Sequence, residues 1–160
     1  MRKQSLDSVV FNRLADARAI ANHAQVCGIL GQSAIERPRY DHLGALLGDA
    51  VLQAGVRYHP VVSTRVERMV SEFPRCETIS GLKEIVESGC VGEFLLWSHP
   101  VKIGRFCKVV RFIDSYGIDN VNDLQSAFAT PNFREAILEV SGVGEKTADY
   151  AACLAGCDVI

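Results

Sequence analysis

The sequence has no excess of basic charge. Its 17 Lys and Arg face 19 Asp and Glu, a formal net charge of -2. That excludes a broad electrostatic footprint on a polyanion, though not a small anion site built from backbone N–H groups. No apolar run is long enough to cross a bilayer, so no membrane partner is expected. The start, MRKQSLDSVVFNRLADAR, follows its basic residues with Asp7, Asn12, Arg13 and Asp16 rather than the apolar core of a signal peptide. A cytoplasmic location is the expectation. Cys27, Cys76, Cys90, Cys107, Cys153 and Cys157 include no C-x-x-C pair. They read as buried reduced thiols. Cys153 and Cys157 lie one helical turn apart, but no other Cys or His stands near them to complete a metal site. There is no internal repeat, no low-complexity tract and no sustained period-two alternation.

What remains is a chain of 160 residues, 48% of them hydrophobic, enough for one domain with a real core. Its apolar residues recur at helical spacing, which predicts an all-α fold. Leu6, Val9, Val10, Leu14, Ala17, Ile20, Ala21 and Ala24 predict an amphipathic helix within residues 6–30, followed by a loop over 31–40. These make an N-terminal segment, 1–40, ahead of a helical domain, 41–160. Asp41 is the expected cap of HLGALLGDAVLQAG, apolar on most faces and so central. HPVVSTRVERMVSEFP is a third helix, with Pro60 in its first turn and Pro74 as its stop. Thr78 can cap ISGLKEIVESG, which Gly89 ends, and Ser98 and Pro100 open VKIGRFCKVVRFIDSYG. NVNDLQSAFAT, NFREAILEV and EKTADYAACLAG complete the set.

The last two of these enclose SGVG. Gly142 and Gly144 permit positive φ and leave the backbone bare. The N–H groups of Gly144 and Glu145 start a helix and have no internal partner. Free amides at the positive end of a helix dipole make an anion site. Taken from the turn alone, a plain helical hairpin that uses glycine only to turn is the better explanation.

The wider pattern is more specific. Ile137-Leu138, Val140, Gly142-Val143-Gly144 and Thr147-Ala148 resemble the helix-hairpin-helix motif that grips DNA phosphates. With Lys146, SGVGEKTADYA is similar to the hairpin of the endonuclease-III-like DNA glycosylase superfamily. LGDAVLQAGVRYHPVVSTRVERMVSEFP and KIGRFCKVVRFI resemble that superfamily's upstream helices, so the likeness runs over roughly residues 41–157. Ser141 stands where the motif usually has proline.

The resemblance implies a six-helix-barrel-like core, a double-stranded DNA partner and base excision repair, with hydrolase or lyase chemistry. A nucleoid-associated location fits the same reading. It implies that Lys146 is the nucleophile that attacks the sugar of a damaged nucleotide, and a partly desolvated site at the helix start would suit a neutral amine. Gly142, Val143, Gly144, Glu145 and Thr147 would meet DNA, and Gln53 would fill the gap left by a flipped base. The carbonyls of Leu138, Val140 and Val143 would hold a monovalent cation. Solvent exposure of Gln53 and Lys146 is the ordinary alternative. Arg57, Tyr58 and His59 could meet DNA backbone, though packing is the ordinary role for a turn Tyr or His. Trp97 could stack on a base or sit in the core. Arg105, Lys108 and Arg111 make either a modest basic stripe or a solvated helix face.

The superfamily's essential aspartate opens the helix after the hairpin, beyond Ile160, and Asp158 comes too early to replace it. The cysteine quartet of the 4Fe–4S members would also lie beyond Ile160, and none of the six cysteines has its spacing, so no cluster is expected. The chain reads as the front portion of a longer protein or as a shortened relative. The superfamily's last helices cover its N-terminal helix, so the apolar face within 6–30 is expected to drive self-association. A non-catalytic DNA-binding module and a helical protein-interaction domain are the other readings.

Overall fold

The computed structural model describes residues 40–157. The expected N-terminal helix, its self-association face, Cys27, and the loop before Tyr40 lie outside those residues. The described chain is all-α, with no strand. Its helices are α1 Leu43–Leu52, α2 Ser63–Glu72, α3 Ile79–Glu87, α4 Val91–Phe94, α5 Pro100–Ser115, α6 Val121–Phe128, α7 Pro131–Leu138 and α8 Glu145–Leu154. A π-helical turn, Tyr58–Val62, leads into α2, and a 3-10 turn, Pro74–Glu77, follows it.

Helix α1 is the central element, as its apolar faces predict. All ten of its residues are buried. It packs on α2, α5 and α8, and more lightly on α3. Close packing on α2 needs Gly48: a Cβ there would lie 2.6 Å from Met69 Sδ. The N-cap of α1 is His42, not Asp41. His42 Nδ1 accepts from the Ala45 N–H at 3.0 Å, which leaves Nε2 to donate to the Phe73 carbonyl at 2.9 Å. One imidazole thus caps α1 and ties it to the end of α2.

The same substitution recurs at α5, where His99, not Ser98, accepts the Val101 amide at 3.3 Å. Asn120 caps α6 in a capping box with Asp123. Thr78 occupies the N-cap of α3 without a side-chain bond. Phe133 of α7 packs against Phe112 of α5 at 5.5 Å and edge-on against Phe128 of α6 at 5.0 Å between ring centroids. That cluster anchors α7, the first arm of the hairpin, to the rest of the core.

Candidate functional site

Helices α7 and α8 form a tight hairpin, as expected. The Val140 amide donates to the Ile137 carbonyl at 3.2 Å, and the Val143 amide donates to the Val140 carbonyl at 2.8 Å. Val143 is buried and pins the turn to the core, so only its backbone is offered to a ligand. The Val140 carbonyl keeps a second lone pair after this bond, which is compatible with a cation ligand. Arg134 of α7 pairs with Asp149 of α8. Ala148, Ala151 and Ala152 are buried, and they let α8 approach both α7 and α1.

The two glycines differ. Gly142 has φ +94, the left-handed region that favours glycine, and a Cβ there would meet Arg105 Nε at 2.7 Å. Gly144 has φ -110, so it does not use the positive φ that glycine permits. A Cβ on Gly144 would meet nothing within 4 Å. Neither backbone conformation nor packing requires glycine there. Its bareness leaves open the space in front of the amides of Gly144, Glu145 and Lys146. Those amides have no acceptor among the described residues, and all three residues are exposed. Glu145 favours the helix dipole but carries the wrong charge for an anion's neighbour.

Behind the hairpin an open cleft of about 520 Å³ is lined by Gln53, Ala54, Gly55, Lys146, Thr147 and Tyr150. Gln53 is the C-cap of α1, its amide bonded to the Asp49 carbonyl at 3.0 Å. Lys146 and Tyr150 are four apart on α8 and so share a face. Lys146 is exposed, so the expected partial desolvation is not found.

One rim of the cleft is clamped from below. Lys102 of α5 donates to the carbonyls of Leu52 and of Ala54, the latter at 2.9 Å, one on each side of Gln53. Its ammonium lies 4.7 Å from the ring centroid of Trp97, and Arg65 lies over the same ring at 5.4 Å. Burial, and then the neighbouring Arg105, hold the Lys102 pKa below its usual value. Trp97 is half-buried and packs against the hydrophobic core, with both cations near its ring. Of Arg105, Lys108 and Arg111, the last two are exposed as a solvated helix face, whereas Arg105 sits against Gly142 and Arg111 lines a separate groove with Lys83 and Asp114. Arg57 is exposed, and Tyr58 is a packing residue with a polar partner.

That partner is the group the sequence reading missed. Asp49 of α1 is fully buried, with 0% exposure. The Tyr40 hydroxyl donates to its Oδ2 at 2.8 Å, the Tyr58 hydroxyl to the same oxygen at 3.2 Å, and the Tyr150 hydroxyl to Oδ1 at 3.3 Å. No cation pairs with it among the described residues. Burial pushes its pKa up, against the pull of the three phenols. Burial likewise raises the Tyr40 and Tyr58 hydroxyls. The signal was one carboxylate inside an otherwise apolar run, GALLGDAVL.

The free cysteines among the described residues are Cys76, Cys90, Cys107, Cys153 and Cys157. Burial, first, raises the Cys76 thiol to about 11. No group of three His, Cys, Asp or Glu is placed to hold a metal among the described residues. Within them, no helix is long and apolar enough to cross a membrane. No protein-family model, curated protein or solved structure matches the chain.

Proposed function

We propose that this chain is a DNA-binding protein of base excision repair, a helix-hairpin-helix DNA glycosylase with lyase chemistry at Lys146. One observation carries the reading: Gln53 and Lys146, singled out in separate parts of the sequence, line the same cleft. The cleft's volume is in the range of small-ligand sites, about 300–1,000 Å³. A base drawn out of a duplex would enter it, with Gln53 at its edge to fill the gap in the stack. The amides of Gly144, Glu145 and Lys146 would hold a backbone phosphate in front of the bare Gly144. The carbonyls of Leu138, Val140 and Val143 would hold a monovalent cation, which would supply positive charge beside that phosphate.

The chemistry follows from the amine. The neutral form of the Lys146 amine gives its nitrogen lone pair to the sugar carbon, and the base leaves with the electrons of the glycosidic bond and takes one amine proton. The bond from that carbon to the ring oxygen then breaks, the oxygen keeps its electrons and takes the second amine proton, and an imine remains between the lysine and the sugar. Borohydride reduces such an imine to a stable amine, which provides the test. Wild type should form a covalent adduct with an abasic-site duplex, and Lys146→Gln should bind the duplex yet form none. No adduct from wild type rejects the lyase chemistry. Salt-sensitive duplex binding without an adduct would favour a non-catalytic module. Loss of both would leave the protein-interaction domain.

A further inference from the structure

The cost of Asp49 is the starting point. A carboxylate buried in a helix core without a counter-cation works against folding. Three phenol hydroxyls offset part of that cost. They reach Asp49 from separate places in the chain: Tyr40 before α1, Tyr58 in the π-helical turn and Tyr150 on α8. Only Tyr150 of the three also lines the cleft. Asp49 lies one turn before Gln53 on α1, and Tyr150 one turn after Lys146 on α8. The Asp49–Tyr150 bond therefore joins the two helices that carry the two sides of the cleft.

We infer that Asp49 is a positioning residue of the cleft, which acts through Tyr150 to set the spacing between the Gln53 rim and Lys146. The inference rests on the function proposed above. Asp49 touches no ligand. The phenol hydrogen given to its carboxylate fixes the Tyr150 ring, and with it the face of α8 that presents Lys146. Tyr150 donates to Asp49, and the bond is strongest while that carboxyl is ionised. An apolar pair of similar size would pack the helices without fixing this separation.

The test compares Asp49→Asn, Tyr150→Phe and the double variant. Tyr150→Phe removes only a hydroxyl and keeps the ring, so it guards against a folding failure in Asp49→Asn. At saturating abasic duplex, each single variant should slow borohydride-trapped adduct formation about tenfold, with duplex Kd changed by less than about twofold. The double variant should be no slower than the slower single, because both remove the same link. Multiplying losses in the double variant, or an unchanged rate in Tyr150→Phe, would overturn the inference. Should wild type form no adduct, the proposed chemistry falls, and a second readout still decides the contact. A 3-fluorotyrosine placed at position 150 should show a fluorine resonance that follows the Asp49 titration in the wild-type background and is flat in Asp49→Asn. The same pH response in both backgrounds would overturn the inference without reference to activity.

Discussion

At the scale of a residue, Lys102 shows how a side chain far from Gln53 in sequence governs it. The last carbonyls of a helix have no partner within it. At α1 two carbonyls next to Gln53, those of Leu52 and Ala54, are taken by one ammonium, which also lies 4.7 Å from the Trp97 ring centroid. Replacing Lys102 with Met keeps the stem but removes both donors. The expected loss is about 1–2 kcal/mol in urea denaturation, with faster amide exchange at residues 53–55. Unchanged stability together with unchanged exchange would mean that the rim holds itself. Nothing in the sequence marks this lysine. It falls within KIGRFCKVV as an ordinary polar position, and only the packing of α5 beneath the end of α1 makes it a clamp. Asp49 is the opposite case. Its charge inside an apolar helix was a visible conflict, but the three tyrosines that resolve it are far apart in sequence.

At the scale of an element, helices were legible where their signals were local. Gly89 ends α3 and Pro100 opens α5 where the pattern put them. Two N-caps were misread for one reason. The sequence rule looks for an oxygen acceptor, and at His42 and His99 a ring nitrogen serves instead. Helix α4 escaped notice because four residues carry no period. The hairpin was legible as a hairpin, but the sequence could not say that its glycines do different things. That difference supplies a contrast. Gly142→Ala forces a positive φ on a residue with a Cβ and pushes on Arg105, at a cost of about 1–3 kcal/mol. Gly144→Ser adopts extended backbone freely and places a hydroxyl over the first amides of α8 as an ordinary cap. Stability should then change by less than about 0.5 kcal/mol. Duplex affinity should nevertheless fall, because the cap occupies the donors a phosphate would use. Thermal melts and a binding titration separate the two outcomes. Full duplex affinity in a stable Gly144→Ser protein would rule out these amides as the phosphate site.

At the scale of the whole molecule, the buried carboxylate sets a dependence of stability on pH. The folded protein holds Asp49 above its ordinary value of 3.8, because burial outweighs the three hydrogen bonds. The unfolded chain releases that proton near the ordinary value. Between the two, the folded state binds more protons than the unfolded state, so stability falls as pH rises. The contribution is fully present below the unfolded value and is lost as pH passes the folded one. Each unit of upward shift is equivalent to about 1.4 kcal/mol. The Tyr40 and Tyr58 hydroxyls are also raised, but from 10.0, so their effect belongs to alkaline solution. Other groups titrate too, and Asp49→Asn provides the reference that cancels them. The stability of wild type minus that of Asp49→Asn, from urea denaturation, should be more favourable at about pH 4 than at about pH 8. A difference that is constant across this range would show that Asp49 titrates alike in the folded and unfolded chain. A difference that grows with pH would show that the three phenols outweigh burial and hold Asp49 below its ordinary value.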